Sequence, residues 1–180
     1  MKLKLDLHTH CFEATGYRPA TLEIVKRIID QIKARGLDGI AITEHWDKNY
    51  GFKVKEIVEQ FFNNEVLIIP GQEIDIGGRQ ENVELYLPNG SIFRFLAHPG
   101  YPTSAYSIDN VQGIEIDNGL HNWRIDKERA RALAEEHDLL LLRNSDAHSV
   151  ERIGQHYNEI SLEELYVRAK QDCGKISLKP

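Results

Sequence analysis

Short runs with strand character alternate with runs of helical periodicity along most of the chain, and this alternation limits the available folds more than any other feature. Strand-like segments are expected at residues 3–8, 39–43, 66–74, 92–97, 113–116, 139–143 and 157–160, with helical patterns at 21–35, 54–63, 125–137 and 162–170. Such an order favours parallel strands, because parallel neighbours need a crossover long enough to hold a helix. Thr21 is placed to cap the first helix and Gly36 to close it; Ser161 with Glu164 three residues on forms a capping box. Two stretches break the pattern: residues 77–89 read as a hairpin-like excursion, and residues 101–110 are too short and proline-punctuated for a long helix. With no repeat, low-complexity tract or linker, the expected fold is α/β. It is a distorted seven-stranded (β/α)7 TIM-like barrel forming one domain over residues 1–180.

Charge narrows the partners. Lys plus Arg number 22 against 28 Asp plus Glu, a formal charge of -6, which disfavours long nucleic acid as an obligate partner while leaving room for a short oligonucleotide. Cys11 and Cys173 cannot build a disulfide framework, and the first ten residues alternate instead of forming the apolar run of a signal peptide. The longest apolar runs, 66–70 and 139–142, fall far below the roughly 18 residues of a membrane helix. A cytoplasmic protein with no membrane partner is expected.

In the first strand, Leu3, Leu5 and Leu7 share one face by the two-residue period, while Lys4, Asp6, His8 and His10 share the other. The leucines are expected to pack outward against helices and the polar face to line the lumen. The histidines would then emerge at the strand's C-terminal end, where strand-helix barrels place their chemistry.

Of the eight histidines, His8, His10, His45, His98 and His148 fall at or just beyond the C-terminal ends of expected strands; His137 and His156 do not. A lone histidine is usually a satisfied core or surface residue. Five in register are another matter, since barrel closure would bring them onto one face together with Glu73 and Asp146. Neutral imidazoles and carboxylates converging on one mouth suit two or three divalent ions such as zinc, manganese or iron.

Taken in order, Asp6-Leu7-His8-Thr9-His10, Thr43-Glu44-His45, Gly71-Gln72-Glu73, Ala97-His98-Pro99 and Asn144-Ser145-Asp146-Ala147-His148 resemble the motifs of the PHP (polymerase and histidinol phosphatase) family over nearly the whole chain. The resemblance implies a distorted seven-stranded barrel that holds two or three metal ions and hydrolyses phosphoesters. Carried over by position, it implies that His8, His10, Glu73 and Asp146 hold one ion, that Glu73 bridges to a second bound by His98, and that His45 and His148 hold a third. Two positions depart from the family pattern without removing a ligand: Glu44 stands where an aspartate is usual, and Asn144 where a glycine is. After His10 only Glu13 is available to complete the third site. His121 is the first choice for a further ligand of the second ion, with a plain hydrogen-bonding role before the next helix as the alternative. Glu115, between Ile114 and Ile116, faces the lumen, where it can orient a ligand from behind.

The mechanism expected of such a site is in-line attack on phosphorus by a hydroxide bridging ions about 3.5–4 Å apart. Catalysis would rest on Glu73, Asp146 and His121, and substrate binding on Arg18 and His121. Arg143 reads as a solvated surface residue, Cys11 and Tyr101 as packing residues, and Trp46 and Trp123 as floor or rim of the mouth. There is no P-loop or GxGxxG fingerprint, so a nucleotide would enter as substrate and not as cofactor. The expected activity is hydrolysis of a small phosphomonoester or nucleotide. An exonuclease acting on short oligonucleotides and a non-catalytic metal-binding regulatory domain are the alternatives.

Overall fold

The computed structural model describes residues 1–103 and 105–169; Lys170 of the expected last helix and Cys173 lie outside the described residues. Eight strands form one sheet: β1 (Leu3–Asp6), β2 (Gly39–Ile42), β3 (Leu67–Asp75), β4 (Glu81–Tyr86), β5 (Ile92–Leu96), β6 (Gly113–Asn118), β7 (Leu140–Asn144) and β8 (Asn158–Ile160). Their order is β7-β6-β5-β4-β3-β2-β1-β8. Helices α1 (Cys11–Ala14), α2 (Leu22–Ala34), α3 (Asn49–Phe61), α4 (Lys127–His137) and α5 (Leu162–Arg168) fill the connections. Among the described residues no helix is long and apolar enough to cross a membrane.

The sheet corrects the expected seven-stranded, all-parallel barrel in two places. Residues 77–89 contain β4, a full wall strand paired antiparallel with both β3 and β5. The glycine pair Gly77-Gly78, both at positive φ, allows the chain to reverse, and Val83 and Leu85 then alternate inward against Glu84. At the other end β8 runs antiparallel to β1. The barrel is nearly closed. Beyond its regular part the β1 segment meets the chain after β7, through a Thr9–Ala147 bridge and the bonds His10 N to Ala147 O and Asp146 N to His8 O, both 2.9 Å. The Asn158 side chain spans the β7–β8 seam, accepting from Arg143 N at 2.8 Å and donating to Arg143 O at 2.9 Å.

The leucines of β1 point into the lumen, opposite to the expectation. Leu5 and Leu7 pack with Ala41, Ile69, Val83, Leu85, Phe93, Phe95 and Leu142, which fill the barrel. A small barrel is a packed core and not a pore, so its inner wall takes the bulky apolar side chains. The outer face of the wall carries a second apolar layer: Ile40, Ile42 and Ile68 meet the Ile24, Ile28, Ile32 and Val54 stripes of α2 and α3. On the far side Leu96, Ile114 and Ile116 pack with Ala130 and Ala134 of α4. Thr21 caps α2 by accepting from Ile24 N at 3.3 Å, and Ser161 caps α5 by accepting from Glu164 N at 3.1 Å. Helix α2 ends in a Schellman turn, with Leu37 N bonded to Ile32 O, Gly36 N bonded to Lys33 O, and Gly36 at φ +66°.

Candidate metal centre

Regular β1 stops at Asp6, whose carboxylate faces away from the lumen and accepts from Ser145 N, Ser145 Oγ, Gly154 N and His8 N. Burial pushes this group up to about 6 in spite of those four bonds. Past Asp6 the two-residue alternation slips, so that Leu7 fills the lumen while His8, the next residue, also turns inward above Phe95 with ring centroids 6.2 Å apart. His10 follows two residues on and shares the mouth.

Among the described residues, three groups of side chains there bring potential ligand atoms within 4.8 Å of one another: His8, His10, Glu73 and Asp146; Glu73, Glu81 and His98; and His10, Glu13, His45 and His148. They form a chain, with Glu73 shared by the first two and His10 by the first and third. Glu73 Oε2 lies 3.3 Å from His8 Nε2, His10 Nε2 and His45 Nδ1, while its Oε1 is 3.0 Å from His98 Nε2. Asp146 Oδ1 is 3.2 Å from His10 Nε2, and Asp146 Oδ2 is 4.0 Å from His121 Nε2. His148 donates Nδ1–H to the Asp146 carbonyl at 3.0 Å, which leaves its Nε2 facing Glu13 at 3.6 Å. Two candidate ligands, His98 and Asp146, sit at φ +31° and +52°. A left-handed backbone in a residue other than glycine costs on the order of 1 kcal/mol, and such strain gathers at functional sites.

The electrostatics suit cations. Burial opposes an imidazolium at His10, yet the adjacent Asp146 and Glu73 carboxylates outweigh it and hold the ring at about 9. His8 is raised in the same sense, burial being overcome by Asp146, Glu73 and Glu115. Glu73 and Asp146 are lowered, burial being outweighed by His8 and His10. Without an ion, protons therefore neutralise a buried acidic cluster. The donor set itself fits a metal better than it fits protons. The two imidazole nitrogens His8 Nε2 and His10 Nε2 face each other at 3.1 Å, and Asp146 Oδ1 and His10 Nδ1 are buried with no hydrogen-bond partner among the described residues. Orphaned polar atoms are costly, and a divalent cation between two nitrogens and two carboxylates would satisfy Asp146 Oδ1 at once.

All seven expected ligands thus share the mouth, and Glu13 joins His45 and His148. Glu44 supports the helix that carries Glu13. Its longer side chain, standing at the usual aspartate position, accepts from Phe12 N at 2.7 Å and fixes the short helix α1. Burial pushes Glu44 up to about 7. His121 stands beside His98 with ring centroids 4.9 Å apart but belongs to no ligand group. Arg18 is exposed and makes no ion pair among the described residues. Arg143 points outward to Asp117 at 3.4 Å, and Cys11 is buried in the outer core. Trp46, Tyr101 and Trp123 are exposed on the rim, at 90%, 71% and 71%, so Tyr101 is not a packing residue.

Two site residues escaped the sequence reading. Glu81 approaches His98 Nδ1 at 3.6 Å; its period-two relation to Val83 and Leu85 is the signal that would have found it, since antiparallel β4 begins at the mouth. Arg124, 17% exposed at its side chain, lies 3.6 Å from Glu81 and donates Nε–H to the Tyr101 carbonyl. Gly100 allows that approach, because a Cβ there would fall 1.6 Å from Arg124 O.

Comparison with known proteins agrees with this picture. Residues 124–167 match the family model described as PHP-associated. No curated protein matches the sequence. PsfC from Pseudomonas syringae PB-5123 superposes with a TM-score of 0.64 at 17% identity, covering 94% of this chain and 89% of its own. A protein of Bifidobacterium adolescentis ATCC 15703, provisionally named a metal-dependent phosphoesterase, superposes with a TM-score of 0.68 at 13% identity, covering 95% of this chain and 98% of its own. The matched segment and the five motifs in sequence order support the PHP family, and both solved structures share the fold.

Proposed function

We propose that the protein is a metal-dependent phosphoesterase that hydrolyses a small phosphomonoester or nucleotide at a centre of two or three divalent ions. The observation that carries this reading is the buried group His8, His10, Glu73 and Asp146, whose nitrogens and oxygens converge with Asp146 Oδ1 left unsatisfied. The provisional name of the Bifidobacterium neighbour supports it.

Divalent ions held there would supply Lewis acidity toward a phosphoryl oxygen and a nucleophile drawn from water at neutral pH. The chain's own residues do the rest. Glu73 and Asp146 place negative charge between the ion positions. Glu13, His45 and His148 together with His10 would hold one further ion, and His98 and Glu81 together with Glu73 another. His121, lowered by burial and partly open, presents a neutral imidazole beside Asp146 and can hydrogen-bond a phosphoryl oxygen. Arg124 supplies the fixed positive charge expected of Arg18, because its guanidinium is anchored by Glu81 and the Tyr101 carbonyl while Arg18 has no described partner. One feature favours a second reading, an exonuclease on short oligonucleotides. Tyr17, Trp46, Tyr101 and Trp123 expose their rings on the segments that follow α1, β2, β5 and β6, where bases can stack.

The deciding experiment is a hydrolysis screen over p-nitrophenyl phosphate, a nucleotide panel and a labelled oligonucleotide, with added Mn²⁺ or Zn²⁺ and elemental analysis of the same preparation. Turnover that disappears in His8→Ala and Asp146→Asn supports the proposal; undiminished rates in those variants refute it. Stepwise shortening of the labelled strand would select the exonuclease. Bound metal with no hydrolysis anywhere in the panel would leave a binding module instead.

A further inference from the structure

Glu115 of β6 has no exposed surface, yet it belongs to none of the three ligand groups. Its oxygens are fully engaged. Oε1 faces His8 Nδ1 at 3.0 Å and accepts from Asn144 Nδ2 at 2.8 Å; Oε2 accepts from the His98 backbone N–H at 2.7 Å and from Asn118 Nδ2 at 2.9 Å. A carboxylate offers about four lone-pair positions, so these four contacts leave none for a cation.

One consequence concerns His8. Because Glu115 Oε1 already accepts from Asn144, His8 Nδ1 is the donor to it, and the opposite nitrogen, Nε2, faces Glu73, Asp146 and His10, where a cation that displaced its proton would meet its lone pair. His10 has no such support, since its Nδ1 is buried without a partner. The amides around Glu115 are themselves locked. Asn144 Oδ1 accepts from Leu7 N at 3.1 Å and from Asn158 Nδ2 at 2.9 Å, so its amino group can turn nowhere but toward Glu115. Asn118 Oδ1 accepts from the backbone of Leu120 and His121, and its amino group reaches Asp146 Oδ2 at 3.2 Å as well as Glu115.

We propose that Glu115 is a positioning residue that fixes His8 with Nε2 aimed at the ion, and that Asn144 and Asn118 hold Glu115 in that task. Asn144 stands where the family resemblance expects glycine. A glycine there would leave Leu7 N–H without its acceptor and Glu115 Oε1 without one of its donors, so residues 115 and 144 work as a pair in this chain. The proposal rests on the metal-centre reading above.

Glu115→Gln tests it with the volume unchanged. The His98 backbone N–H cannot reverse, so the glutamine oxygen must replace Oε2 and its amino group must replace Oε1, against His8 and Asn144. His8 can adapt only by accepting at Nδ1 and carrying its proton on Nε2, where it no longer serves as a ligand. Zinc affinity, measured by competition with a chromophoric chelator, is expected to fall 10- to 100-fold for one ion, the range found when the partner of a ligating imidazole is lost. The other ions should bind as in the wild type, while the melting temperature of the metal-free protein should fall by about 2–12 °C, because the new amino group meets that of Asn144. In long-range ¹H–¹⁵N spectra of the zinc-loaded wild type, His8 should carry its proton on Nδ1. The proposal is overturned by a variant that binds zinc within threefold of wild type, by equal weakening of every ion, or by a His8 that ligates through Nδ1. If the variant does not fold, the wild-type spectrum decides alone. A wild type that binds no zinc sinks the metal centre together with this proposal; zinc binding unchanged in the variant sinks this proposal only.

Discussion

Removing the ions should leave a protein whose stability falls as the solution is made alkaline, and His10 sets the size of that fall. Its imidazole is held at about 9 in the fold against 6.5 for a free histidine. A raised folded value stabilises fully below the unfolded value, and the stabilisation is lost as pH rises through the folded one. The whole shift corresponds to about 3 kcal/mol, of which about 2 kcal/mol disappears between pH 7.5 and 9.5. His8 is raised too and acts in the same direction. Asp6 and Glu44, raised by burial to about 6 and about 7, have lost most of what they lose before this window opens. Urea unfolding of chelator-treated protein across the window measures the slope, and subtracting the same series for His10→Gln removes contributions common to both, the buried Cys11 thiol included. Saturating Mn²⁺ or Zn²⁺ should abolish the slope, because the ion takes the proton's place, and at a hundred times its dissociation constant should add about 2.7 kcal/mol. A wild-type-minus-variant difference that stays flat from pH 7.5 to 9.5 would show that the carboxylates do not hold His10 as described.

Three further expectations follow from packing and hydrogen bonding. Asp6→Asn turns an amino group toward at least one of four donors and should cost about 1–3 kcal/mol in urea unfolding with metal present or absent; an unchanged midpoint would mean the carboxylate does not tie β1 to the loop after β7. Leu5→Ala empties part of a filled lumen and should destabilise by about 2–5 kcal/mol in urea unfolding; a loss well under that range would mean that the lumen is not packed around Leu5. Gly100→Ala cannot keep the approach to Arg124 O and should raise KM more than it lowers kcat; a neutral result would detach Arg124 from substrate binding.

How far the sequence discloses this molecule depends on which periodicity governs each segment. Residue types at strand ends survive small errors of register, so His8, His10, His45, Glu73, His98, Asp146 and His148 are legible as one cluster even with the faces of β1 assigned the wrong way round. The direction each strand faces was not legible in the same way. Leu5 and Asp6 alternate cleanly, but period two says only that they face opposite sides, and the choice of side falls to the barrel: its lumen has to be filled, and α2 and α3 already cover the outer wall with their own apolar stripes. Polar histidines reach the mouth because the strand ends at Asp6 and the alternation slips there, a local event with no signature in composition. The same limit hid Glu81. Read as an excursion, residues 77–89 had no inner face; as β4, antiparallel between two strands that run the other way, they deliver their first residue to the mouth where parallel neighbours deliver their last. A parallel barrel collects its ligands from strand C-termini alone. A reversed strand adds an N-terminus to that rim, and in this chain it brings both the carboxylate facing His98 and the partner of Arg124, two roles that a pattern of C-terminal motifs has no means of predicting.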